Sequence, residues 1–527
     1  MLRVNAFERH VAARLLDFFS SKTPWQRSLW CSGTVLTLKE TLQASQAVSA
    51  GVLSHAALQN LASQASILAG KDRGVADPNV KRLLQNSLRT EAKGGLEYEG
   101  FSCRVIAQVI GDLEPEYLPQ WAQAVSKPED LPSAERAARA VASHLLDVGF
   151  SSDFLHRWWA YRIRHEPGSR ALCEILLEAH AMIARPQAEY EILVAFEHAP
   201  VPDPSRLPTN WLANRDVSNW LKKNGFDVSG VRQRGGLRFT VKSRDPFAAA
   251  ESVAERVDRI IARVNLGSYS TLVPINRMWI AGEKEATPLR LRRRRVEVHA
   301  LHRENRLFVD SEFGIVDAAV ELVAPLDSES PGAAVAGGWA AIEALLAGPG
   351  DRERVAAADR MASLVACSFP RAELTALSYK LEEQGGVIAD RLQACGSNKE
   401  RSAVVAELVT AGAPPTFEHD SDTAALSRMA ALLSRPAQTL RDVEAHLSDC
   451  LRRLYRHRNM VLHWGRTDAL GLRACLRAAA PVVGAGLDRI AHASFVEGCH
   501  PLELAARARI GLDTTAATGR SPLDLLD

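Results

Sequence analysis

A chain of 527 residues is long enough for two or three domains, each able to bury its own core. A hydrophobic fraction of 46% and a charged fraction of 24% are ordinary for a globular protein, and a net charge of +2 argues against nucleic-acid binding by bulk electrostatics alone. No apolar run reaches the ~18 residues of a membrane span; the nearest, Gly332 to Gly348, is interrupted by Glu343. The opening MLRVNAFERH is charged and lacks an apolar signal core. The eight cysteines, Cys31, Cys103, Cys173, Cys367, Cys395, Cys450, Cys475 and Cys499, are scattered without close pairing. Reduced thiols and a cytoplasmic location are therefore expected, with no membrane contact.

Residues 1–208 read as mostly helical. VAARLLDFF, LKETLQASQAV, HAALQNLASQASILAG, ERAARAVASHLLDVGF and SRALCEILLEAHAMIA each repeat apolar residues at i, i+3 and i+4. DFLHRWWAYRIRHEPG interleaves tryptophan and tyrosine with arginine, a pattern that serves either base stacking or a helix core, with the core favoured. PVPDPSRLP, Pro200 to Pro208, reads as a linker. Residues 209–326 change character. GGLRFTVKSRDP and VPINRMWIAG read as strands flanking the helix PFAAAESVAERVDRIIARVNLG, a small antiparallel sheet with one covering helix. The run Arg290, Arg292, Arg293, Arg294 and Arg295 leads into a stretch that reads as a long hairpin turning at His302 to Asn305. Arginines on such a strand either keep a sheet edge solvated or track phosphates, and Arg292 to Arg295 are candidate RNA contacts on the second reading.

DSESP, Asp327 to Pro331, reads as a linker to a helical domain over 327–510, and 511–527 as a flexible tail. The expected fold is mainly α with a central α+β module. Within the last domain LRRLYRHRNMVLHWG stands out. Read as a helix, Leu447, Leu451, Leu454 and Val461 form one apolar stripe, and Arg458 falls on its centre line. Burying an unpartnered guanidinium costs several kcal/mol, so Arg458 must meet an anion, a cleft or another subunit. Beside it Arg452, Arg456, Asn459 and His463 form a second stripe, a cationic edge suited to phosphate. Arg458 and His463 lie roughly 140° apart around a straight helix. They converge only through the long side chain, a kink or a second copy of the helix.

Arg458-Asn459-x-x-x-His463, with Tyr455 before it and Gly465 after it, resembles the R-x4-6-H motif of the HEPN superfamily of nucleases. GGWAAIEALLAG, Gly337 to Gly348, resembles the first long helix of such domains, with Glu343 at a position that often is acidic. The likeness covers roughly residues 330–500 and implies a HEPN-like helical bundle. It further implies a homodimer whose motif helices meet in one groove. The layout, a large N-terminal region before such a bundle, is similar to that of ApeA-like abortive-infection proteins of antiphage defence.

The implied activity is metal-independent RNA cleavage with no cofactor, by a toxin or defence effector. His463 would move the 2′-OH proton, Arg458 would stabilise the phosphorane charge, and Asn459 would fix the imidazole or the phosphate. Tyr455, Arg456 and Glu343 would support them, and Arg452 would contact RNA, either tRNA or mRNA. The ends would be 2′,3′-cyclic phosphates. The N-terminal region would sense a trigger or bind RNA. The alternative is a HEPN protein without catalysis, acting as a dimerising or antitoxin-like partner.

Overall fold

A computed structural model describes residues 5–89, 96–165, 171–200, 208–289, 294–309, 314–328, 330–518 and 520–527. The protein is mainly helical and carries one small antiparallel sheet. It divides into two compact units that cut across the expected domains. One unit holds 1–147, 159–178 and 294–527; the other holds 148–158 and 179–293. The N-terminal helices and the C-terminal helices are thus one body, where two domains were expected.

Along the chain the first helices are α1 (Ala6–Phe19), α2 (Thr34–Ser49), α3 (His55–Lys71), α4 (Pro78–Ser87), α5 (Phe101–Val125), α6 (Ala134–Asp147), α7 (Ser152–His165) and α8 (Leu172–Ala184). The periodic segments of the sequence form them, and each buries its apolar stripe: Val11, Leu15, Phe18 and Phe19 from α1, for example. Of the two tryptophans of α7, Trp159 is fully buried and Trp158 half-buried, so Trp159 serves the core reading. The expected linker at 200–208 lies almost entirely outside the described residues.

The second unit is built on strands β1 (Ala188–His198), β2 (Trp211–Leu212), β3 (Gly235–Ser243) and β4 (Val273–Ile280), in the order β2-β3-β1-β4 and antiparallel throughout. The sequence reading missed β1, one of the two inner strands. Its alternate residues feed two cores. Ile192, Val194 and Phe196 meet Leu237, Phe239 and Val241 under α10 (Pro246–Gly267). Leu193 and Ala195 meet Val217, Trp220 and Leu221 of α9 (Asn214–Lys223). Helices therefore pack on both faces of the sheet, not one. The approach of α9 is close: a Cβ on Gly236 would lie 2.9 Å from Val194 O and 3.0 Å from Val217 Cγ2.

The expected arginine hairpin is absent among the described residues. Arg290, Arg292 and Arg293 lie outside them, and from Arg294 an irregular stretch leads to the short α11 (Ala300–Arg303). The physical reason is tethering. Arg294 N donates to Asp327 O at 2.8 Å, Arg295 N to Asp327 Oδ1 at 3.0 Å, and Arg295 Nη1 to Thr23 O, so local ties replace a strand ladder.

The remaining helices are α12 (Ile315–Ser328), α13 (Pro331–Leu346), α14 (Ala356–Gln384), α15 (Val387–Gln393), α16 (Asn398–Thr410), α17 (Asp420–Ser434), α18 (Pro436–Trp464), α19 (Leu472–Glu497) and α20 (Pro501–Thr518). The DSESP segment proves to be the junction of α12 and α13, which pack on each other within one unit. A single core runs from Ala300 to Leu526. The tail, expected to be flexible, is docked: Leu523, Leu525 and Leu526 are buried, and Arg371 donates to Leu523 O and Asp527. All eight cysteines are free thiols.

Candidate active site

The motif lies on α18, one unbroken helix of 29 residues starting with Pro436 at its first turn, where a missing N–H costs nothing. Leu440, Leu447, Leu451, Leu454 and Val461 sink into the core between α13, α14 and α19. Gly465 ends the helix in the left-handed conformation at φ 69°, and its N–H caps Val461 O at 3.1 Å. The last turn therefore holds His463 at a fixed helix end.

Arg458 is half-buried and reaches along the helix to its own neighbours. Its Nη1 donates to Asn459 Oδ1 at 3.0 Å and meets His463 Nε2 at 3.1 Å. Of the three routes to convergence, the long side chain is the one the protein takes within a single copy. A guanidinium only donates, so Nε2 is the acceptor here and the imidazole carries its proton on Nδ1. His463 is exposed, as is Leu462, while Asn459 is buried and Trp464 half-buried under the guanidinium of Arg466, 5.2 Å from its ring.

The rest of the expected cationic edge is organised differently. Arg456 is buried, not solvated, and its Nη2 finds no hydrogen-bond partner among the described residues. Burial pushes its pKa down to about 10. Arg452 grips Asp359 with two bonds, Nε at 2.8 Å and Nη2 at 2.7 Å, so its charge is already spoken for. Tyr455 packs its ring on Trp339, centroids 4.7 Å apart. Glu343 accepts from Trp339 Nε1 at 2.9 Å and pairs with Arg354, so it does not neutralise Arg458. Arg294 and Arg295, tied to Asp327 and Thr23, form no free strip. Among the described residues of the set, Arg458, Asn459 and His463 are the ones joined by direct side-chain contacts.

A buried cluster behind the motif escaped the sequence reading. Glu40 of α2 accepts from Arg453 Nε at 2.9 Å and also from Arg453 Nη2, and lies 3.4 Å from His457 Nε2. Burial pushes the Glu40 carboxyl up, but the Arg453 charge and His457 pull it down to about 2. Burial holds His457 below its ordinary value, and its Nδ1 is buried without a partner among the described residues. Asp449, one side of the same helix, is pushed up to about 6 by burial. Arg456 thus sits in the fields of Glu40 and Asp449 without an ion pair to either. The spacing of Arg453, Arg456 and His457 at i, i+3 and i+4 was the available signal; the carboxylate that Arg453 and His457 share is 413 residues away from Arg453.

Comparison with protein-family models, curated proteins and solved structures found no match. Among the described residues, no group of three or more His, Cys, Asp or Glu is placed to hold a metal. No helix there is long and apolar enough to cross a membrane.

Proposed function

We propose that the end of α18 is a HEPN-like ribonuclease site in which Arg458, Asn459 and His463 act on the phosphodiester of RNA. The observation that carries this reading is the contact of Arg458 Nη1 with both Asn459 Oδ1 and His463 Nε2 at an exposed helix end. In the free protein Arg458 occupies the lone pair of Nε2. A bound phosphate offers the guanidinium a charged acceptor, a stronger partner than a neutral imidazole. Arg458 then turns to the phosphate and frees Nε2 as a base next to the reacting group.

In the cleavage step His463 Nε2 takes the 2′-OH proton, O2′ forms a bond to phosphorus, and the P–O5′ bond breaks. The leaving 5′ oxygen takes a proton from water or from the His463 imidazolium of a second copy. The products are a 2′,3′-cyclic phosphate and a 5′-OH. Arg458 carries the charge that builds on the non-bridging oxygens. A role as a toxin or antiphage effector belongs to the same proposal, as does a homodimer through the surface around Leu462 and Trp464. The non-catalytic alternative predicts the same fold and no cleavage.

The experiment is incubation of the purified protein with total RNA in EDTA, followed by mapping of fragment ends. Cyclic-phosphate ends from the wild type and none from His463→Ala are expected. Fragments produced equally by His463→Ala protein would remove His463 from the mechanism and the reading with it.

A further inference from the structure

We infer that the α9–β3 surface of the sheet unit is a binding site for the phosphate backbone of RNA. Residues 208–243 carry seven lysines and arginines against two aspartates, Asp216 and Asp227. Arg215, Lys222, Lys223, Arg232, Arg234, Arg238 and Lys242 are all exposed. None of the seven takes part in an ion pair or side-chain hydrogen bond among the described residues. In the helical unit, by contrast, Arg14, Arg27, Arg360, Arg452 and Arg453 each hold a carboxylate.

The cations share one side of the unit for reasons of strand and helix geometry. Leu237, Phe239 and Val241 point to α10, so Arg238 and Lys242 stand on the opposite face, beside α9. Helix α9 buries Val217, Trp220 and Leu221 on the sheet and turns Arg215, Lys222 and Lys223 outward. Arg232 and Arg234 flank Gln233, whose Nε2 donates to Asn214 Oδ1 at 2.8 Å and Asn214 O at 3.0 Å, which fixes that loop against the start of α9. Strand β1 brings three acids to this face: Glu191 is taken up by Trp220 Nε1, Glu189 stands opposite Lys242 in the register, and Glu197 lies at the far end, so the cations still outnumber the free acids.

The chemistry of the occupant is set by the apolar anchor the surface lacks. None of the large exposed hydrophobic side chains of the protein falls between 208 and 243. A protein partner is anchored by buried aromatic and aliphatic side chains, and a lipid surface by inserted ones. Unpaired cations without an apolar anchor instead match a solvated polyanion, whose binding is driven by counterion release. That the polyanion is RNA rests on the ribonuclease reading of the α18 site.

The test measures binding without cleavage. Full-length His463→Ala protein is titrated with a fluorescein-labelled 20-mer of oligouridylate, and anisotropy is followed from 50 to 300 mM KCl. Each phosphate contact to a single strand contributes about 0.7 to the log–log salt slope. The triple variant Arg232→Gln/Arg234→Gln/Arg238→Gln is expected to lower the slope by about 2 and the affinity at least tenfold at 100 mM KCl. The pair Lys222→Gln/Lys223→Gln is expected to lower the slope by about 1.4, and carries the test if the triple variant does not fold. Unchanged slope and affinity in both variants overturn the inference. So does loss of binding to phosphatidylserine vesicles while RNA binding stands. RNA binding that the variants weaken, from a wild type that never cuts RNA, sinks the nuclease reading and leaves this surface in place.

Discussion

Arg458 is the residue on which catalytic and structural roles separate. Nη1 alone meets Asn459 and His463, and lysine keeps the charge but loses the planar fork that would grip two oxygens of the phosphate. Arg458→Lys is expected to slow RNA cleavage tenfold or more, at least about 1.4 kcal/mol of transition-state stabilisation, with a nearly unchanged melting temperature. A variant that melts early and cuts at the wild-type rate would make Arg458 structural. Glu40 is the opposite case. Glu40→Gln leaves the buried Arg453 guanidinium without its counter-charge, an expected loss of about 3–5 kcal/mol in urea unfolding. The folded pKa of about 2 lies below the ordinary carboxylate value, so the stabilisation is complete above about pH 4.5 and fades as pH falls toward 2. Wild type should lose ~3 kcal/mol more than Glu40→Gln across that window; equal losses would exclude Glu40 as a source of acid sensitivity. Arg458, Asn459 and His463 were legible in the sequence because their spacing on one helix is local information. Glu40 was not, because no local pattern names a partner at such separation.

The elements that were legible are those with a clean period. Helices α1, α2, α3, α6 and α10 and strands β3 and β4 fall where their apolar patterns put them. β1 was missed because ILVAF, buried on both faces, has no alternation to distinguish it from the inside of a helix. The arginine hairpin failed in the other direction: alternation was present, but Asp327 and Thr23 capture the backbone and side chains that a ladder would need. The tail looked flexible because its polar composition hides the leucines at 523, 525 and 526 that dock it. At the same scale the end of α18 yields a prediction. Gly465 has φ 69° with open space around its Cα, so alanine there meets no neighbour and is penalised by backbone conformation alone. Gly465→Ala should cost about 1 kcal/mol, and Gly465→Asn less, since asparagine tolerates the left-handed region. If the cap positions His463, cleavage should fall with alanine and recover in part with asparagine. Equal stability of glycine and alanine proteins by urea unfolding would show that the helix end is not held in this conformation.

At the scale of the molecule, the sequence suggested separable N- and C-terminal domains, and the buried charges explain why that division fails. Arg27, beyond α1, is bound to Glu373 of α14 and Asp422 of α17, each at 2.7 Å. Arg428 of α17 also holds Glu373, and Arg14 of α1 joins Asp17 to Glu135 of α6. Ser421 closes the set by donating to Asp17. A fragment of residues 327–527 strands Asp422 and Arg453 without partners, at about 3–5 kcal/mol each. That is comparable to the 5–15 kcal/mol by which a domain is normally stable. The fragment is therefore expected to lack a cooperative thermal transition by circular dichroism, and to cleave no RNA. A soluble fragment that melts in one sharp step would restore the two-domain division. Composition and periodicity could not reveal the shared body, because ion pairs across hundreds of residues leave no trace in either.

The distance in sequence between Glu40 and Arg453 also sets a schedule for the newborn protein. Glu40 leaves the ribosome 413 residues before Arg453 does, a wait of roughly 20–80 s at ordinary rates of synthesis. Throughout that interval the N-terminal helices hold an open seam with a carboxylate looking for its cation. The helix that carries Arg458 and His463 takes its seat only after the segments that flank it in space, α2 before it and α19 after it, have both been made. A nascent chain that has not yet reached Glu497 thus carries no finished motif helix.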